Sequence, residues 1–157
     1  MDDEADPTPR RDGDYVGCLA GNLRAATRAV TRFYDDALRP HGLRITQIAL
    51  LAQLERLQPA TSTELAAAVG GERSGVTRDL ARLEDRGLVG GSPHPDDQRA
   101  RHLHLTPAGA TALAECAPAW RAAQAAMADL LGPGLVAELV TAAGQVTSQL
   151  GRAGSRP

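Results

Sequence analysis

The sequence predicts a mainly α-helical protein whose helices are interrupted once by a two-stranded β wing. Three observations carry this. The chain is rich in Ala and poor in aromatic residues, with one Phe, one Trp and two Tyr, a composition that favours helices over sheets. Apolar residues recur at threes and fours over most of its length. One short stretch, Arg101 to Leu105, instead alternates, which is the period of a strand.

Taken in order, residues 1–13 combine acids, two prolines and Gly and are expected to be a disordered acidic tail. From about Asp14 to Leu38 the spacing of Val16, Leu19, Leu23, Ala26, Val30 and Phe33 predicts a long amphipathic helix. Arg24, Arg28 and Arg32 form a polar stripe along it, and Pro40 and Gly42 stop it. Thr46 is expected to cap a second helix, with Ile48, Leu51, Leu54 and Leu57 on its buried side and Pro59 at its end. Thr61-Ser62-Thr63-Glu64 fits a capping box for a short third helix. Gly70-Gly71 then turns the chain into a fourth, about Arg73 to Arg86.

The fourth helix is the informative one. Val76, Leu80 and Leu83 share one face, as a core requires. Ser74, Arg78 and Arg82 lie opposite, with Thr77 at the edge, as a phosphate backbone and base edges require. Gly87 ends it. Leu88-Val89 begins a strand, Gly90 to Gln98 reads as a loop because of its Gly, Pro and Asp content, and Arg101 to Leu105 forms the returning strand. A capped helix, a Gly turn, an amphipathic helix and a hairpin make a winged helix-turn-helix over residues 45–106.

Thr106-Pro107 starts a further helix. Leu113, Cys116, Ala117, Trp120, Gln124, Met127 and Leu131 follow a seven-residue rhythm in it, and Pro118 is expected to kink it. Gly132-Pro133-Gly134 breaks the chain before a last helix, about Leu135 to Leu150, and residues 151–157 read as a flexible tail. The helices of 14–40 and 107–150 are apolar along their lengths and are expected to form a dimerisation region.

All 17 basic side chains are Arg. Residues 1–14 hold six acids and two Arg, so a formal −2 for the whole chain leaves +2 on the rest. The acidity is concentrated in a tail, and an overall acidic balance does not exclude nucleic acid. No apolar run reaches the length of a membrane span, and the N-terminus is acidic rather than signal-like. Cys18 and Cys116 lack paired-ligand spacing. The expectation is a cytoplasmic protein with no cofactor. His102 and His104 share a strand face, but no third and fourth ligand accompany them, so no metal is expected. Neither a phosphate-cradling Gly loop nor a nucleophile elbow occurs, which argues against an enzyme.

Several motifs together give the chain a family likeness: Arg73-Ser74-Gly75-Val76-Thr77-Arg78, Leu83-Glu84-Asp85-Arg86-Gly87-Leu88-Val89, Asp96-Asp97-Gln98-Arg99-Ala100-Arg101 and Leu105-Thr106-Pro107-Ala108-Gly109. Over about Asp14 to Leu150 the chain resembles the MarR family of bacterial winged helix-turn-helix transcription regulators. The resemblance implies a homodimer that places two recognition helices in successive major grooves of a promoter palindrome, most often as a repressor. It implies DNA contacts from Ser74, Thr77 and Arg78; Arg73, Gly75, Arg82 and Arg101 are the further residues expected at the DNA. Arg99, braced by Asp97, would enter the minor groove, where negative potential attracts Arg.

There are departures from the family pattern. Gln98 stands where an Arg is common, Gly75 where a Thr is, and Gly90-Gly91-Ser92 replaces a more charged approach to the wing. The weakened approach to the wing supports an alternative, a winged-helix protein-interaction module without DNA binding. The resemblance also implies a pocket between the helical layer and the winged domain, in which Arg24, Arg28, His41 and Trp120 would hold a small aromatic or anionic effector. Cys18 is expected to be a plain buried or interface thiol, because the Tyr partners that a first-helix redox sensor needs are missing, and Cys116 a core residue.

Overall fold

The computed structural model describes residues 17–93 and 100–153. Its elements are α1 (Leu19–Leu38), a 3-10 turn (Arg39–His41), α2 (Ile45–Leu57), α3 (Ser62–Val69), α4 (Arg73–Asp85), β1 (Val89–Pro93), β2 (Arg101–Leu105), α5 (Pro107–Leu131) and α6 (Pro133–Ala153). Among the described residues no single helix is long and apolar enough to cross a membrane.

The second helix begins at Ile45, so Thr46 is inside it rather than capping it. Asp35 of α1 accepts the Ile45 N–H at 2.8 Å, and Gln47 accepts the Arg44 N–H at 3.1 Å. Two side chains therefore satisfy donors that a helix start leaves open, and one of them comes from another helix. Thr46 is freed to donate to Asp79 of α4 at 2.9 Å. The Thr61 capping box forms as its sequence predicts: the Glu64 N–H donates to Thr61 Oγ1 at 3.2 Å and the Thr61 N–H to Glu64 Oε2 at 2.7 Å.

The fourth helix ends one residue early. Arg86 is its C-cap, and Gly87 follows in the left-handed region at φ 69°. The Leu88 N–H then reaches Leu83 O at 2.9 Å and the Gly87 N–H reaches Glu84 O at 2.8 Å, the paired bonds of a Schellman motif. Leu88 and Leu83 are both buried in the core beside it.

The expected loop from Gly90 is strand as far as Pro93. β1 pairs antiparallel with β2, with Gly90 opposite His104, Gly91 opposite Leu103 and Pro93 opposite Arg101. Glycines serve in this strand because bulky partners occupy their space. A Cβ at Gly90 would lie 2.4 Å from Nε2 of His104, so the close approach outweighs the weak strand preference of Gly. On its other edge β2 exchanges two backbone hydrogen bonds with Ala60, at 2.8 and 3.0 Å between Leu103 and Ala60.

The join to α5 explains the Leu105–Gly109 motif. Thr106 Oγ1 accepts the Gly109 N–H at 3.0 Å, which caps α5, and its hydroxyl donates to Gly87 O at 2.7 Å, which ties that cap to the end of α4. A Cβ at Gly109 would lie 2.1 Å from the Leu88 carbonyl oxygen, so the first turn of α5 rests on bare backbone. The helix is continuous through Pro118. The last helix begins at Pro133 and runs to Ala153, longer at both ends than its apolar spacing suggests. Pro suits a first helical position, where its missing N–H costs nothing, and so Gly134 lies inside the helix.

The core is built by the end of α1, α2, α3, α4, the hairpin and the first half of α5. Leu38, Leu51, Leu54, Leu65 and Leu83 are fully buried, and Cys116 from α5 is 1% exposed in the same cluster. Each buried Leu stabilises the fold by roughly 1.5–3 kcal/mol relative to an exposed one. α1 packs along α5, where the Tyr34 hydroxyl donates to Gln124, and α6 packs on α5.

Candidate nucleic-acid interface

The local sequence fixes how α4 is presented. Gly70 ends α3 at φ 62°, and Gly71 follows so close to Val69 and Val76 that a Cβ there would meet their methyls at 3.2 and 3.1 Å. This tight turn sets α4 across α3. Val76, Leu80 and Leu83 are buried, and Arg73, Ser74, Thr77 and Arg78 are exposed. The residues read as core and contact faces from the sequence therefore fall on opposite sides of one helix.

The outer residues divide into three groups. Ser74 and Arg78 lie on the open face. Arg73 and Thr77 line a cleft of about 450 Å³ together with the first turn of α3, Thr61 to Thr63, and with Ala100 and Arg101 of the wing. Gly75 and Asp79 border a crevice against α2 that also includes Thr46. Arg82 leans to the α2 side, with Nη1 3.4 Å from Oδ1 of Asp79. Arg86 crosses further, donating to the Gly42 carbonyl at 2.7 Å and so joining the end of α4 to the turn after α1.

Arg101, expected at the DNA, is paired with Glu84 of α4 at 3.0 Å. Asp97 and Arg99 lie outside the described residues. Three side chains that sequence reading did not single out now have positions: Glu84, Asp79 and Asp35. An acid three positions from an Arg on the same helix signals the Asp79–Arg82 pair. Nothing local signals the other two, because their partners are distant in sequence.

Of the residues expected around an effector, Trp120 lines an apolar cavity of about 400 Å³ with Ile45, Ile48, Leu113 and Cys116. The whole lining is uncharged. Arg24, Arg28 and His41 are exposed and do not line this cavity. Cys116 has its thiol pushed up, first by burial and then by Glu115, against a smaller opposing pull from Arg86. Cys18 is exposed instead of buried and stands at the N-cap of α1. There the backbone N–H groups of Gly21 and Ala20, with Arg24 behind them, hold its thiol below the usual range.

Comparison with known proteins agrees with this geometry. The MarR family model matches residues 43–112, from the start of α2 into α5. The transcriptional regulator MosR of M. tuberculosis, solved in complex with DNA, is 34% identical, with 85% of this chain and 98% of that one covered and a TM-score of 0.71. A mutant of E. coli MarR complexed with operator DNA shares the fold at 23% identity, with 82% and 92% covered and a TM-score of 0.70. The repressor CouR, bound to a 23-mer duplex, does so at 24% identity, with 88% and 98% covered and a TM-score of 0.73. With α4, its Gly turn, the hairpin and the Thr106–Gly109 join all in place, and with a relative of this identity aligned over nearly its whole length, the chain belongs to the MarR family of transcriptional regulators.

Proposed function

We propose that this protein is a cytoplasmic, homodimeric repressor that binds an inverted repeat in promoter DNA. The observation that carries the reading is the exposed row Ser74, Thr77 and Arg78 on a helix whose other face is locked into the core. Arg78 supplies a fork suited to guanine or phosphate, and Ser74 and Thr77 supply hydroxyls of short reach. Arg73 and the first turn of α3 face the backbone beside that row. Arg99 is the residue proposed for the minor groove.

The dimer is supported by the apolar side chains left exposed on the flanking helices. Leu19 and Leu23 on α1, Leu131 on α5 and Leu139 and Val140 on α6 are between 40% and 70% exposed. Large apolar side chains left open along three helices suit an interface. Two joined copies would offer α4 to successive major grooves about 34–36 Å apart. Residues 14–40 and 107–150 then serve assembly, and 45–106 serves DNA.

An effector would enter beside Trp120. The uncharged lining favours a neutral aromatic molecule over an anion, since a carboxylate would lose its hydration there without a partner. Such a ligand would act through its differential affinity for two dimer shapes.

Fluorescence anisotropy with DNA from around the protein's own gene tests this reading. Specific binding that weakens steeply with salt is expected. Absence of binding at low salt would favour the protein-interaction module, for which the bare Gly90-Gly91 approach to the wing is the supporting observation.

A further inference from the structure

Arg101 opens β2 opposite Pro93, yet its guanidinium turns back across the hairpin toward α4. Nη2 lies 3.0 Å from Oε1 of Glu84, and Nη1 lies 3.4 Å from Oε2. Contact at two points fixes the plane of the guanidinium as well as its distance. Gly91 makes the contact possible. A Cβ on Gly91 would stand 2.3 Å from Nη2, 2.8 Å from Cζ of Arg101 and 3.0 Å from Oε1 of Glu84. Its φ is not positive, so the backbone does not demand glycine here; a larger residue would instead displace the guanidinium from its seat.

Glu84 also needs a reason to be where it is. It lines the same cleft as Arg73 and Thr77, where a carboxylate repels the phosphates that its neighbours attract. The Arg101 and Glu84 side chains are 59% and 26% exposed, so the pair adds little to stability. Its value is geometric, because it spans the recognition helix and the wing.

We propose that Glu84 is a positioning residue for DNA binding: through Arg101, seated in the space that Gly91 leaves open, it sets the angle of the β1–β2 hairpin against α4. Arg101 aligns the wing and is not itself a phosphate contact. The proposal rests on the DNA-binding reading above. It also accounts for the bare Gly91 in the approach to the wing, since the Arg101 guanidinium occupies the space a side chain would take.

The test uses the full-length protein and three variants: Glu84→Gln, Arg101→Gln and Gly91→Val. The last leaves both charges and removes only the space. Each variant is expected to weaken specific DNA binding about 5- to 10-fold, because the wing is held too loosely. The slope of log Kd against log salt should stay at the wild-type value, because no phosphate contact is lost. Melting temperatures should stay close to wild type, and hydrogen exchange at the β1–β2 amides of the free protein should quicken in all three.

Glu84→Gln binding DNA more tightly, or Arg101→Gln lowering the salt slope by about 1, overturns the proposal, since Arg101 is then a phosphate contact. Unchanged hairpin exchange overturns it as well. If the wild type binds no DNA, the DNA-binding reading fails, and the exchange measurement in the free protein decides the clasp alone.

Discussion

In the winged unit the leucines point inward: Leu50, Leu51, Leu54, Leu65 and Leu83 are all at or below 1% exposure. On α6, built from the same few residue types, Leu135, Leu139 and Val140 are 46%, 49% and 70% exposed. The difference lies in how many neighbours each apolar face has. α2, α3, α4 and the hairpin enclose one another, so each stripe meets several others. α1 and α6 each carry a stripe as long as the helix but lie chiefly against α5, which covers only part of it. One region is closed by its own chain. The other leaves its stripes open, and these are the surfaces that the proposed dimer would close.

Two substitutions set the regions against each other, and they carry the largest effects. Leu83→Ala removes a fully buried side chain and should cost about 2–5 kcal/mol of unfolding free energy, read from urea denaturation. Leu139→Asp should leave the folded secondary structure intact by circular dichroism. It should shift the protein to monomer in sedimentation and weaken operator binding about 100-fold or more, because one recognition helix alone selects a site poorly. A Leu139→Asp protein that stays dimeric would break the comparison.

The next effect separates two arginines on α4. Arg78 is exposed on the open face, whereas Arg82 is held against Asp79. Arg78→Ala should weaken specific binding by about 1–3 kcal/mol, as losing a bidentate base or phosphate contact does. Arg82→Ala should cost less than about 0.5 kcal/mol, the scale of a neutral surface change. Anisotropy titrations at one salt concentration compare them, and equal losses would move Arg82 onto the DNA.

Legibility in the sequence followed the range of each interaction. The Thr61 capping box, the Val76–Leu80–Leu83 face and the Thr106-Pro107 start are readable because each is decided within about two helical turns. The start of α2 was misread because its decisive partner, Asp35, lies ten positions away on α1. The part of β1 after Val89 reads as loop because its glycines look like punctuation until His104 and Arg101 are seen filling the space above them. The Arg stripe on α1 was readable as a stripe, but spacing within one helix says nothing about which cavity it faces, and Trp120 ends up beside uncharged neighbours. Long-range pairing and room for a neighbour's side chain leave no periodic trace.

The smallest effect concerns chemistry rather than stability, and it divides the two cysteines along the same line. Cys18 is exposed at the start of α1, where N–H groups of Gly21 and Ala20 favour its thiolate, while Cys116 is buried where α5 meets the winged core. Alkylation requires the thiolate and access. With its titration lowered, Cys18 should be alkylated by iodoacetamide at a pH below that at which a free thiol reacts, and with no loss of folded structure. Cys116 titrates above the ordinary thiol value of 9.0, so it should resist until the chain unfolds. The same raised value means that folding keeps its full advantage below that pH and loses it as pH climbs past the folded titration, when an ionised thiolate has to leave the core. Mass spectrometry of the singly labelled protein across a pH series distinguishes the two sites. Equal labelling of both in the folded state would mean that α5 opens from α2 far more readily than the buried contacts around Cys116 allow.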